Sequence, residues 1–323
     1  MSIPRILIRN GQRAVRRTTA AAFSIVELLV AMTLLTLIVL VLMAVFSSTQ
    51  RAFRASVTQT DVLEGGRSTM ELVAADFRNM VPCGGVSNYV TNATSYYYGG
   101  VNFSVTNNSP SLNAYSPLQQ SLIAATDGAA RTNLLQYFFI LGRQNTKWTG
   151  TGYFVDSSSP NPLYPLYRFY AETNVDVNPV VLYSNFLYAV YYSQFTNLSH
   201  VADGVVHLVV RAYDKDGYWL TNGYPSVASS VPGHTRPLNV WFSPPEWGEV
   251  GGQFYSNSLP AAVEVQLGFL EDRTLLRALA LGNNGEPPME NPALSNYLSG
   301  QAGHIQLFRQ RVTIPNMDSS AYP

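Results

Sequence analysis

From Leu28 to Phe46 the chain runs 19 residues without a charge, a proline or a glycine, and this stretch limits what the rest can be. A helix needs about 20 apolar residues to cross a bilayer, so the run is predicted to be a membrane span. Ahead of it, residues 1–22 hold Arg5, Arg9, Arg13, Arg16 and Arg17 and no acid. Positive charge keeps a flank on the cytoplasmic side, which predicts a cytoplasmic N-terminus and an extracytoplasmic remainder. A cleavable secretory signal has an apolar region of roughly 7–15 residues followed by a small-residue cut site. Here the run is longer and no such site follows it.

The helix is expected to continue past the span. No proline occurs between Pro4 and Pro82, and no glycine between Gly11 and Gly65. Residues 23–64 are therefore predicted as one helix, about 63 Å long at 1.5 Å per residue, with a kink at Gly65-Gly66. Beyond that point Val62, Gly66, Met70, Val73, Phe77 and Met80 recur at three- and four-residue spacings, an apolar stripe expected to lie on a sheet. The other face carries Asp61, Glu64, Arg67, Glu71 and Arg78. Pro82 with Gly84-Gly85 is predicted to end the helix.

From Val86 onward the chain reads as β. Predicted strands are Leu134–Leu141, Leu166–Glu172, Phe186–Gln194, Val205–Asp214, Tyr218–Leu220, Ala262–Leu270 and Ile305–Ile314, each rich in β-branched or aromatic residues. Lys215-Asp216-Gly217 is predicted to turn a hairpin between the fourth and fifth of these. In Ala262–Leu270, Val263, Val265 and Leu267 alternate onto one face. The stretches 102–117, 145–165, 221–252 and 282–303 read as long polar loops. The fold class is α+β: residues 1–22 a basic leader, 23–50 the span, 51–82 an amphipathic helix, and 83–323 a β-rich head.

A plain anchor leaves Glu27 unexplained. It is the only charged residue between Arg17 and Arg51, and a carboxylate at the lipid boundary is costly without a cationic partner. Alone, it also reads as a boundary residue reaching the headgroups. Its surroundings, AAAFSIVELLVAMTLLTLIVL, resemble the N-terminal signature of type IV prepilins and type II secretion pseudopilins: a basic leader, a small residue, Phe first in the mature chain and Glu fifth. The resemblance implies cleavage by a prepilin peptidase between Ala22 and Phe23, methylation of the new Phe23 amine, and pairing of Glu27 with that amine on a neighbouring subunit. Ala22 departs from the glycine usual before the cut. The order of an aspartate-glycine hairpin, LPAAVEVQLGFLEDR and FRQRVTIPN looks like the J-type minor pseudopilins and related prepilin-type cassette proteins. That likeness implies a pilin-like fold, an inner-membrane location with a periplasmic head, and other pilins or pseudopilins as partners.

Signs of chemistry are sparse. His200, His207, His234 and His304 are far apart and form no metal-protease pattern, and no phosphate-binding glycine loop or nucleophile elbow is present. Gly150 and Gly152 read as part of a polar loop. The chain is therefore expected not to be an enzyme and to carry no cofactor. Asp203, Asp214 and Asp216 are the best candidates for a metal, calcium being the hard cation such oxygens would hold, yet Asp-Lys-Asp-Gly is first a turn. The tyrosines at 96–98 and 188–192 read as amphipathic strand positions or as a partner or sugar surface. One cysteine, Cys83, excludes an intrachain disulfide. With 20 basic and 20 acidic residues in all and the leader holding five of the basic ones, the remainder is acidic, so no nucleic-acid partner is expected. Two readings stand: a minor pilin or pseudopilin, or a signal-anchored extracytoplasmic enzyme or binding protein.

Overall fold

The computed structural model describes residues 24–84, 100–107, 119–121, 130–132, 134–159, 161–192, 197–221, 237–245, 249–282, 291–301 and 304–322. The leader, Ala22, Phe23, His234 and the tyrosines at 96–98 lie outside them. The fold is α+β, with a long N-terminal helix and an antiparallel β domain. Helix α1 spans Ile25–Arg78. The chain divides into two compact units, the first ending at Ala55 and the second running from Ser56 to Pro323.

In the first unit α1 is apolar and exposed along its length, and Ile25–Phe53 is long and apolar enough to cross a membrane. Four of its hydroxyls are satisfied by its own backbone: Thr33 Oγ1 donates to the Val30 carbonyl at 2.8 Å and Thr36 Oγ1 to the Met32 carbonyl at 2.8 Å. Ser47 and Thr49 do the same within one turn of the end of the apolar run. Such back-bonding removes a polar group that lipid could not solvate.

The second unit is built on two sheets. Its strands are β1 (Val101–Asn107), β2 (Gln119–Ser121), β3 (Ala130–Thr132), β4 (Gln136–Gln144), β5 (Lys147–Val155), β6 (Leu166–Asn174), β7 (Leu198–Ala202), β8 (Val205–Tyr213), β9 (Val240–Phe242), β10 (Gly252–Tyr255), β11 (Ala262–Leu270) and β12 (Ile305–Thr313). Three shorter helices join them: α2 (Val180–Tyr192), α3 (Asp272–Leu281) and α4 (Pro292–Ser299). The large sheet has the order β7-β6-β5-β4-β1-β10-β9, the smaller one β12-β11-β8, and β2 pairs with β3. Every pairing within them is antiparallel.

The α1 stripe does what its spacing requires. Val62, Gly66, Met70, Val73, Phe77 and Met80 are all buried, while Glu64, Arg67, Glu71 and Arg78 are exposed. The Phe77 ring stacks on Phe138 at 5.2 Å, and Phe138 stacks in turn on Tyr153 at 5.1 Å. One core therefore holds α1, the alternate residues Phe103, Phe138, Ile140 and Tyr153 of the large sheet, and Val263, Val265 and Leu267 of the small one. A second core lies on the far face of the large sheet, where Tyr137, Phe139, Leu141 and Trp148 meet Leu182, Tyr183, Phe186 and Ala189 of α2. Burial on both faces explains why β4 is a continuous apolar run and not an alternating one.

Several expectations are corrected. Residues 193–194 lie outside the described residues, and 186–192 do not form a strand; they belong to α2. Its buried Leu182, Phe186 and Ala189 follow helical spacing, and Asn178 accepts the Val180 N–H at 3.0 Å just ahead of the first turn. Gly65-Gly66 does not interrupt α1. The Cβ that Gly66 lacks would lie 2.2 Å from the Phe308 ring, so this glycine serves close packing of helix on sheet, whereas a Cβ at Gly65 would meet nothing. The stretch 145–165 contains β5, with Gly150 and Gly152 inside it. A Cβ at Gly152 would sit 2.4 Å from the Phe186 ring, so here the glycines seat α2 on the sheet. The stretches 102–117, 221–252 and 282–303 likewise contain β1, β9 and α4. Tyr218–Leu220 is no full strand: the turn forms, but only Tyr213 and Trp219 bridge, and the long partner of β8 is β11.

The two adjacent glycines of α1 should respond in opposite ways to the same change. Gly65→Ala is expected to stabilise the protein by about 0.5–1 kcal/mol through helix propensity. Gly66→Ala is expected to destabilise it by about 1–3 kcal/mol through overpacking, and Phe308→Leu should relieve that loss. Denaturant titration of the four proteins checks both signs.

Candidate functional site

The first turn of α1 is built by its own side chains. Ser24 is the N-cap: its Oγ accepts the Val26 N–H at 3.2 Å and its carbonyl accepts the Leu28 N–H at 3.2 Å. Glu27, three residues on, reaches back so that a carboxylate oxygen accepts the Ser24 N–H at 3.4 Å. This Ser-x-x-Glu pair is a capping box, which satisfies two amide groups that no helical carbonyl can reach. Sequence reasoning missed it, although the spacing was visible. The bond from Ser24 is long, and Glu27 is exposed. Its carboxylate thus keeps room for a stronger donor, and an acid here is also favoured by the positive end of the helix dipole.

The three candidate metal ligands are not brought together. Asp203 precedes β8 and Asp214 follows it, so the strand separates them by roughly 30 Å at its usual rise per residue. Asp203 Oδ1 lies 2.7 Å from His200 Nε2. Asp214 is buried, and its Oδ1 accepts the N–H groups of Asp216 at 3.0 Å and Tyr218 at 2.7 Å. With Gly217 at φ +88°, this is the side-chain-stabilised turn that Asp-x-Asp-Gly encodes. Among the described residues no three His, Cys, Asp or Glu side chains converge as a metal site. His304 Nδ1 lies 3.0 Å from Glu271, far along the chain from the other histidines. Cys83 is partly buried with Sγ 3.4 Å from the Gly100 carbonyl, and burial pushes its thiol pKa up, which opposes a nucleophilic role. On α2, Tyr188, Tyr191 and Tyr192 are exposed while Ala189 is buried.

Two charge arrangements escaped the sequence reading. Asp76, on the flank of the α1 stripe, takes a two-pronged bond from Arg168 of β6, with Nε at 2.8 Å and Nη2 at 2.9 Å, and also accepts the Tyr153 hydroxyl at 2.5 Å. Its signal was an acid three residues from Val73 and one before Phe77. The other arrangement lies on the outward face of the small sheet. Arg211 bonds Glu249 in two-pronged fashion, while Glu264 accepts from Arg309 at 2.8 Å and from Gln266 at 3.0 Å. Because β8, β11 and β12 are in register at Arg211, Glu264 and Arg311, acid and base alternate across the strands, as cross-strand pairing favours.

No family model, curated protein or solved structure matches the chain.

The Glu264 network carries a pH dependence. Burial alone would raise the Glu264 pKa, but the Arg309 and Gln266 hydrogen bonds outweigh it and hold the carboxyl below its ordinary value. A carboxyl lowered on folding contributes stability above its unfolded pKa of about 4.3, which is lost as pH falls through the folded value. Glu264→Gln should cost about 1–3 kcal/mol at neutral pH and should flatten the loss of stability below that pKa. Urea titrations between neutral and acid pH measure both.

Proposed function

We propose that this chain is a pilin-like structural subunit, of the minor pilin or pseudopilin kind, that is anchored by α1 in a bacterial inner membrane and assembles into a filament. The observation that carries the reading is Glu27: the only charge of the apolar helix stands in its first turn, four residues after Phe23, behind an arginine-bearing leader. In this reading a prepilin peptidase cuts between Ala22 and Phe23, and the new, methylated amine carries the positive charge that Glu27 meets across two subunits. An amine and a carboxylate each costly alone in lipid would fix the register of neighbouring helices. The α1 stripe packed on an antiparallel sheet supports a pilin-like head, which would be periplasmic. The chain itself would act by packing, with energy supplied by a separate motor.

The test separates the carboxylate's charge from its capping role. Gln at the third helical position closes a capping box as Glu does, so Glu27→Gln keeps the cap and removes only the charge. Both Glu27→Gln and Glu27→Ala are expected to abolish incorporation into pelleted filaments while leaving the chain in the membrane. Mass spectrometry of the purified native protein is expected to find a methylated N-terminus at Phe23. A chain that keeps residues 1–22, with Glu27→Gln behaving as wild type, would instead identify an anchored extracytoplasmic protein in which Glu27 only caps its helix.

A further inference from the structure

Four strands end the two sheets of the second unit; β8 is bridged beyond β11 by Leu135 at Leu208 and by Trp219 at Tyr213, and of the other three one is unlike the rest. Strand β7 has five residues and a register irregularity against β6, and β9 has three. Short and bulged edges of this kind resist pairing with other chains. Strand β12 has nine residues, and each of them pairs with β11 in an unbroken register from Ala262↔Thr313 to Leu270↔Ile305. It contains no proline, glycine or bulge. Among the described residues β11 is its only strand partner.

The orientation of its amides follows from the bonds at the two ends. Ile314 N–H donates to the Ala261 carbonyl, and Glu271 N–H donates to the His304 carbonyl, both across the β11–β12 pair. Hydrogen-bonded pairs recur every second residue in an antiparallel ladder, so the even-numbered residues of β12 bond to β11. Leu307, Arg309, Arg311 and Thr313 direct their amides and carbonyls to the free side.

The side chains at this edge are equally unfinished. Gln306, Phe308 and Gln310, which face the core, are only half-buried, although Val312 is fully buried. The outward row is Leu307, Arg309 and Arg311, all exposed. Arg309 keeps 60% of its side chain exposed while bonding Glu264, and the Arg311 guanidinium lies 3.9 Å over the Tyr213 ring. Stacking on a ring leaves a guanidinium's N–H donors available to a carboxylate. Full antiparallel overlap with a second copy of β12 sets Arg309 directly against Arg309, a like-charge pair that opposes self-pairing.

We propose that the free edge of β12 is an interaction surface that takes up an extended segment of another protein as an added strand, one with carboxylates on alternate residues. The acidic row would meet Arg309 and Arg311, and the intervening apolar residues would cover Phe308. Backbone bonds to Leu307, Arg309 and Arg311 would supply affinity, and the arginine row would choose the occupant. This inference does not depend on leader cleavage or on Glu27.

The full-length protein in detergent, with a capped nonapeptide of alternating Glu and Val as probe and its Lys-Val counterpart as control, tests the idea. Exchange of the outward β12 amides is expected to slow about tenfold with saturating Glu-Val peptide, with little effect from Lys-Val. Added salt is expected to weaken Glu-Val binding about threefold or more. Leu307→Pro removes one outward amide while leaving the bonds to β11, and edge strands tolerate such a proline; it is expected to abolish the protection. Arg311→Glu, at an exposed position, is expected to reverse the preference between the two peptides. Equal binding of both peptides to the native protein, or protection by neither, would overturn the proposal. So would outward amides that become protected with rising protein concentration alone, since the occupant would then be a second copy.

Discussion

The second unit depends on the burial of one helical stripe between two sheets. Phe77 and Met80 have no exposed surface, and Phe77 is the first ring of a stack that runs through Phe138 to Tyr153. A fully buried aromatic contributes roughly 2–3 kcal/mol from area alone, and ring pairs add to it, so this stack outweighs any one polar contact nearby. The stack has no directional preference along the helix, however. Asp76 supplies one. Its two oxygens are both engaged by Arg168, and Tyr153, the last ring of the stack, donates to the same carboxylate. Desolvation and the neighbouring acid push the Tyr153 pKa up, and the Asp76 bond pushes that of Arg168 up. The tyrosine thus stays a donor and the guanidinium stays charged at neutral pH. Apolar area holds the helix down; the Asp76 fork sets where along the sheet it sits.

The two faces of the large sheet are finished differently. Toward α1 the contact is an aromatic stack flanked by the Asp76 ion pair. Toward α2 it includes a buried hydroxyl set: Ser104 lies 3.2 Å from the Tyr183 hydroxyl, which also accepts from Gln253 at 2.9 Å. Tyr137 and Tyr191 join hydroxyls at 3.1 Å. Tyrosine suits this layer because its ring fills volume against Phe139 and Phe186 while its hydroxyl ends near water or another hydroxyl. The absence of any charge in α2 is consistent with a helix seated between apolar rings, with Gly150 and Gly152 removing the side chains that would hold it off.

Those same residues show what was legible in the sequence. The α1 stripe announced itself by its three- and four-residue spacing, and β4, β6, β8, β11 and β12 by short runs of β-branched or aromatic residues. Strand β5 did not, because its glycines look like loop residues until the ring that occupies the missing Cβ is known. Helix α2 was read as a strand because tyrosine and valine favour strands locally. Tertiary burial of Leu182, Phe186 and Ala189 overrode that preference, and Asn178-Pro179 was the cap signal that could have corrected it. Strand β1 was hidden by Asn102 and Ser104, polar residues that are buried because specific partners await them: Asn102 accepts the Cys83 N–H and donates to the carbonyls of Ser256 and Ser258. Partners that distant in sequence leave no local trace. Glu27 was legible for the opposite reason, since a lone charge in an apolar run needs no knowledge of its neighbours.

Glu27 also poses a choice that magnitudes decide. Closing a capping box contributes about 0.5–2 kcal/mol, and a neutral glutamine would do so as well. An ionised carboxylate at the edge of a membrane span carries a desolvation cost that glutamine avoids. Thr33, Thr36, Ser47 and Thr49 turn their hydroxyls back onto carbonyls of their own turns. Against that background the Ser24 bond at 3.4 Å is longer than those hydroxyl bonds, and it belongs to the only charged group between Arg17 and Arg51. Capping accounts for the position of Glu27, and the positive end of the helix dipole, worth about 0.3–1 kcal/mol for an acid in the first turn, offsets only part of the cost of its charge at a lipid boundary.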